Sequence, residues 1–261
     1  MLYWFLRYVT LGPLFKLAYR PRFQGLENVP DEGPLIIAAN HVSFIDSLFI
    51  PLGLKREVIF LGKAEYFDKR RTAWFFKAAN VIPIRRESGS AAEGALQAGL
   101  EVLERGDILG IYPEGTRSPD GRLYRGKTGV ARLALEGRVP VLPVCLFGTR
   151  EVQPPGQRSP NLTGRVRVVY GKPLTFERYY DQPKDRFVLR AVTDEIMYEI
   201  MSLSGQEYVD EYASKYRARM NRAEAAKERD PESRDESRPG SQVAPEFEAR
   251  PAEENRGRTE G

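Results

Sequence analysis

The chain has 261 residues, 41% hydrophobic and 29% charged, enough for one large domain with a real core. It holds one cysteine, Cys145, and one histidine, His41, which excludes an intrachain disulfide and a His/Cys zinc cluster. The net charge of +4 is unevenly spread: Asn221 to the end carries 8 Lys+Arg and 11 Asp+Glu, net −3, and the chain before it 32 and 25, net +7. A basic body fits an anionic partner, whether nucleic acid, an acidic membrane surface or a phosphorylated substrate.

The first twenty residues, MLYWFLRYVTLGPLFKLAYR, are apolar and aromatic. No positive residue precedes them and no small-residue cleavage site follows, which argues against a signal peptide. Arg7, Gly12, Pro13 and Lys16 interrupt the run, so it does not read as a spanning helix. Two short helices are expected, broken at Gly12-Pro13. Arg7 and Thr10 line one side of the first, and Lys16 and Arg20 one side of the second. A narrow polar stripe beside Tyr3, Trp4, Phe5, Leu14 and Phe15 suits a helix lying in a lipid interface; the alternative is a helix capping the domain's own core.

From Gly33 to about Tyr170, short apolar runs alternate with helical patterns. Strands are predicted at 35–39, 57–61, 81–84, 107–112, 140–144 and 165–170. Helices are predicted at 46–53, 70–79, 89–105 and 128–136, with 184–203 and 206–219 closing the domain. Continuous apolar strands separated by helices indicate an α/β fold, a mainly parallel sheet wrapped by helices. Residues 221–261 are rich in Arg, Glu, Pro, Ser and Gly, with Val243 and Phe247 their only bulky apolar residues, and are expected to be a disordered C-terminal tail.

Residues 40–46 read Asn40-His41-Val42-Ser43-Phe44-Ile45-Asp46, between strand 35–39 and a helix. The lone histidine therefore sits at the carboxyl end of a strand, where open α/β sheets place ligands. A neutral imidazole can take the proton of an attacking hydroxyl, and a carboxylate on its other nitrogen fixes the tautomer. His41 would be the base and Asp46 its orienter. Taken alone, a His-x4-Asp pair equally describes a histidine that caps a helix or satisfies a buried carbonyl. Strand 81–84 runs into Arg85-Arg86, and strand 107–112 into Pro113-Glu114-Gly115-Thr116-Arg117-Ser118. In a parallel sheet these loops share an edge with His41, gathering Arg86, Arg117 and Lys63 near it; an arginine's fork of donors matches a phosphate, and each arginine taken alone also describes a solvated surface charge. Gly115 allows close backbone approach and Thr116 offers a hydroxyl. Glu114 reads either as a partner of a substrate hydroxyl or as a holder of an arginine.

His41-x4-Asp46, the arginine after Val81-Ile82-Pro83-Ile84, Tyr112-Pro113-Glu114-Gly115-Thr116-Arg117-Ser118 and Val139-Pro140-Val141-Leu142-Pro143-Val144 occur in the order found in the glycerophospholipid acyltransferases. Over about residues 23–205 the chain resembles that family, most of all its bacterial 1-acyl-sn-glycerol-3-phosphate (lysophosphatidic acid) acyltransferases. The resemblance implies His41 and Asp46 as the catalytic pair. It implies an acceptor site shaped by Glu114, Gly115, Thr116 and Arg117, an acceptor phosphate held by Arg86 and Lys63, and Pro143 near the acyl chain. It further implies acyl transfer from acyl-CoA or acyl-carrier protein to 1-acylglycerol 3-phosphate, giving phosphatidic acid, with no bound cofactor and no metal. Another lysolipid or glycerol 3-phosphate is the alternative acceptor. A non-catalytic lipid-binding protein is the alternative class. Three positions depart from the family pattern: Asn80 for glycine, Arg85 for an acidic residue and Tyr112 for phenylalanine, the last read as harmless. The expected organisation is membrane-interface helices at 1–22, an acyltransferase domain at 23–220 and the tail at 221–261, peripheral on the cytoplasmic face of the cell membrane.

Gly121-Arg122-Leu123-Tyr124-Arg125-Gly126-Lys127-Thr128 formally satisfies a phosphate-loop pattern. It does not directly follow a strand, and its middle positions are bulky, so a nucleotide site is not expected. A Gly-x-Ser-x-Gly elbow is absent. The chain shows no recognisable nucleic-acid module, which sets the membrane above nucleic acid as the anionic partner.

Overall fold

The computed structural model describes residues 9–68, 73, 74, 76, 77, 79–84, 91–157 and 159–229. The chain divides into two units, Met1–Arg219 and Met220–Gly261. The first unit is built on strands β1 (Arg22–Gln24), β2 (Leu35–Ala39), β3 (Val58–Lys63), β4 (Val81–Ile84), β5 (Ile108–Ile111), β7 (Val141–Phe147) and β8 (Arg167–Tyr170). They form one sheet in the order β1-β8-β7-β2-β5-β3-β4. From β7 to β4 every neighbouring pair is parallel; β8 runs antiparallel to β7 and carries β1 beside it. The carboxyl ends of β2, β3, β4, β5 and β7 therefore share one edge. β6 (Leu123–Tyr124) and β9 (Tyr208–Val209) pair separately.

The helices are α1 (Leu11–Tyr19), α2 (Asp46–Leu52), α3 (Ala91–Glu104), α4 (Gly129–Gly137), α5 (Thr149–Val152), α6 (Arg186–Ser204) and α7 (Ala213–Arg229). All five residues of β2 are buried, because both faces of the sheet are covered. Ile36 and Ala38 enter the core that includes Val102 of α3, Leu133 of α4 and Ile196 of α6. Leu35, Ile37 and Ala39 enter the core that includes Phe49 and Ile50 of α2 and Phe15 of α1. Each large aliphatic side chain so buried contributes roughly 1.5–3 kcal/mol.

The break expected at Gly12-Pro13 is not there. Pro13 is the third residue of α1, and a π-helical turn at Val9–Thr10 leads directly into it. The preceding helix expected from the sequence falls mostly on residues 1–8, outside those described. Phe15 and Tyr19 anchor α1 edge-on to Phe49, at ring centroid distances of 5.3 and 5.8 Å. The Tyr19 hydroxyl donates to the Asn161 carbonyl at 2.8 Å.

Of the helix predicted at 70–79, residues 73, 74, 76 and 77 are described and are helical. Asn80, the departure from glycine, has φ +54, a left-handed conformation that asparagine tolerates better than most residues. Its amide donates to the Glu57 carboxylate. Near the C-terminus, α7 continues to Arg229, inside the stretch expected to be disordered. Asn221–Arg229 is dominated by Ala, Glu, Lys and Arg, all strong helix formers. Residues 230–261 lie outside those described.

Candidate active site

Asp46 opens α2 and is fully buried. Its Oδ2 accepts three hydrogen bonds: from the backbone N–H of Val42 at 2.9 Å, from that of Ser43 at 2.8 Å, and from His41 Nδ1 at 2.9 Å. The four-residue spacing works because the chain folds into a tight turn over its own carboxylate. The Asp46 bond selects the tautomer with the proton on Nδ1 and leaves Nε2 able to accept one. The His41 side chain is 17% exposed. Asn40 secures the strand end: its Oδ1 accepts from Leu146 N–H at 2.8 Å, and its Nδ2 donates to Gln206 Oε1 at 2.8 Å.

Glu114 has backbone partners that the sequence did not show. It is 1% exposed. One carboxyl oxygen accepts from the His41 backbone N–H and the other from that of Tyr124, both at 3.0 Å. The His41 carbonyl in turn accepts from Ser118 N–H at 2.6 Å. The backbone of the histidine is thus clamped on both sides by the Glu114–Ser118 loop. Spacing in the sequence could not show this, because Glu114's partners lie 73 and 10 residues away.

Gly115 turns the loop at φ +70, and a Cβ there would lie 3.0 Å from the end of the Lys127 side chain. Thr116 Oγ1 accepts from Arg217 Nη1 at 3.2 Å, and the Arg117 carbonyl from Arg217 Nη2 at 2.5 Å. The Arg117 guanidinium makes no ion pair with a described residue. Lys63 closes β3 at the same edge as His41. Arg86, with Arg85, lies outside the described residues. Pro143 sits inside β7, where its carbonyl accepts from Gly171 N–H at 2.8 Å. Residues 121–128 make no phosphate cradle: Leu123 and Tyr124 form a buried strand. No cluster of His, Cys, Asp and Glu that could hold a metal occurs among the described residues.

Tyr112, Ser47 and Arg217 are site residues that the sequence reading missed. Tyr112 stacks on His41, and its hydroxyl meets Ser47. Its place just before Pro113-Glu114-Gly115-Thr116 was the available signal. Arg217 reaches the loop from about 100 residues away and carried none.

Burial pushes the Glu114 carboxyl up from 4.5 to about 8; its two N–H donors pull the other way, and Asp46 and Asp120 add to the rise. The folded chain thus keeps a proton that the unfolded chain releases between pH 4.5 and 8. The resulting stabilisation is complete below 4.5 and is lost as pH rises through about 8. Urea unfolding across this range should show wild type losing stability relative to Glu114→Gln, with a limiting slope of about 1.4 kcal/mol per pH unit. A difference that stays flat or grows with pH would contradict a neutral buried Glu114.

Residues 20–147 match the Acyltransferase family model. The chain is 34% identical over 157 residues to 1-acyl-sn-glycerol-3-phosphate acyltransferase BAT2, chloroplastic, of Brassica napus, covering 60% of this chain and 45% of that one. It is 27% identical over 183 residues to the 1-acyl-sn-glycerol-3-phosphate acyltransferase of Bacillus subtilis, covering 69% of this chain and 86% of that one. Among solved structures, the 1-acyl-sn-glycerophosphate acyltransferase PlsC from Thermotoga maritima superposes with a TM-score of 0.57 at 26% identity, covering 76% of this chain and 80% of that one. The chain spans about half the length of the chloroplastic relatives it matches. Sheet, motif order, the His41–Asp46 pair and these matches agree: residues 20–147 of the chain carry an Acyltransferase-family domain.

Proposed function

We propose that the chain moves a fatty acyl group from acyl-CoA or acyl-carrier protein to the free hydroxyl of 1-acylglycerol 3-phosphate, giving phosphatidic acid. The observation that carries this reading is His41, held through Nδ1 by a buried carboxylate at the carboxyl edge of the sheet. Nε2 takes the acceptor hydroxyl proton as the oxygen attacks the thioester carbonyl. A C–O bond forms, the C–S bond breaks, and the departing thiolate takes the proton back from the imidazolium. Asp46 stabilises that imidazolium. The thioester is already activated, so the reaction calls for no acyl-enzyme, metal or bound cofactor. Arg117, on the loop beside His41, is the described cation suited to the acceptor phosphate, with Lys63 at the same edge and Arg86 after β4.

The same reading puts the protein on the cytoplasmic face of the membrane, where its thioester donors are. No described helix is long and apolar enough to cross a membrane. α1 instead buries Phe15 and Tyr19 and turns Leu14 and Leu17 outward, 59% and 77% exposed, beside the exposed Lys16. An anchored helix with an apolar and basic outer face suits an anionic lipid surface.

Acyl transfer from labelled acyl-CoA to a panel of acceptors, wild type beside His41→Ala, tests the activity. Product on 1-acylglycerol 3-phosphate is expected, with a loss of roughly a hundredfold or more in the variant. Product on another lysolipid or glycerol 3-phosphate would move the substrate; equal rates in the variant would refute the mechanism. For the membrane, Leu14→Glu/Leu17→Glu should float less with phosphatidylglycerol vesicles than wild type. Undiminished flotation would remove α1 from the interface.

A further inference from the structure

Tyr112 gives its ring and its hydroxyl separate partners. The ring lies on the His41 imidazole, centroids 3.8 Å apart and planes 12° apart. Phe60 stacks with Tyr112 in turn, at 5.8 Å and 14°. The hydroxyl pairs with Ser47 Oγ at 2.8 Å. Ser47 follows Asp46 in α2, so one short helix holds the imidazole edge through Asp46 and the stacked ring through Ser47.

The two contacts do different work. A single hydrogen bond from Nδ1 to Asp46 sets the direction of the ring but leaves it free to swing about that bond. A flat ring packed on its face removes the swing. The face of an aromatic ring is also electron-rich, so it attracts the imidazolium more than the neutral imidazole. Phenylalanine would supply the face without the anchor to Ser47.

We propose that Tyr112, pinned by Ser47, is a positioning residue that fixes the plane of His41 and stabilises the imidazolium formed during proton transfer. This role rests on His41 being the base, yet it has a readout that needs no turnover. Among the described residues, the charged or titratable groups against His41 are Asp46 on Nδ1, Glu114 on its backbone N–H and Tyr112 itself. Burial and then Asp46 push the Tyr112 phenol well above 10, against the pull of the Ser47 bond, so the stacked ring stays neutral.

His41 is the chain's only histidine, so imidazole NMR of the full chain in detergent reports on it without assignment. Removing the ring in Tyr112→Leu should move the His41 ring-proton resonances downfield, because the shielding face stacked on the imidazole is lost. It should slow kcat roughly tenfold or more, with acceptor KM within about twofold of wild type. Tyr112→Phe and Ser47→Ala, which keep a ring, should leave those resonances near their wild-type positions and slow kcat by similar, roughly two- to fivefold factors; the double variant should be no slower than either. Wild-type His41 resonances in Tyr112→Leu, or losses that multiply in the double variant, would overturn the proposal. If wild type transfers no acyl group, the proposed activity fails and the NMR spectra still judge the stacking. If Tyr112→Leu does not fold, the Tyr112→Phe/Ser47→Ala cycle decides.

Discussion

One oxygen of one buried aspartate holds the site together. Asp46 Oδ2 closes the turn from β2 into α2 by accepting from Val42 and Ser43, and orients His41 with the same lone pairs. Substituting a side chain that cannot accept would strand two buried backbone N–H groups, at about 1–3 kcal/mol each, besides releasing the imidazole. Fold and chemistry are therefore coupled: the turn that lets the strand become a helix is also the turn that aims the base. Glu114 repeats the device from the other side, fixing the His41 backbone with a carboxyl group closed off from solvent.

The support for this turn reaches beyond the part of the chain that matches the family model. Gln206, after α6, donates to the Gly121 carbonyl at 2.6 Å and accepts from Asn40, linking the strand end to the loop after β5. Tyr216 of α7 packs against Tyr124, whose backbone holds Glu114, at 5.3 Å between rings. Arg217 ties the same helix to Thr116 and Arg117. The loop beside His41 is thus braced by residues that follow the family domain.

What was legible in the sequence was what local pattern encodes. β2, β5 and β7 stood out as unbroken apolar runs because both of their faces are buried, and the His41–Asp46 pair stood out because its chemistry closes within one turn. Features with distant partners did not show. The backbone partners of Glu114 appear only when Tyr124 and His41 fold onto it. Tyr112 looks like a spare phenylalanine until Ser47 meets its hydroxyl. β1, β6 and β9 are two or three residues long, too short for a period to register. Pro13 was read as a break because sequence does not say which turn of a helix a proline will occupy. Residues 221–229 group with the tail by their lack of bulky apolar residues, although their helix propensity is in plain view.

The central claim is that Asp46 keeps the proton on His41 Nδ1, so that Nε2 is the base. Asp46→Asn tests it most directly, with kcat and the nitrogen shifts of the single imidazole measured on the same preparation. The asparagine carbonyl can still serve Val42 and Ser43, but its amide would face Nδ1 with a donor and favour the other tautomer. The account expects a switch to the Nε2–H form and a loss of about 10³-fold or more in kcat, the scale seen when a histidine base is held in the wrong tautomer. An unchanged tautomer with kcat within about tenfold of wild type would contradict it.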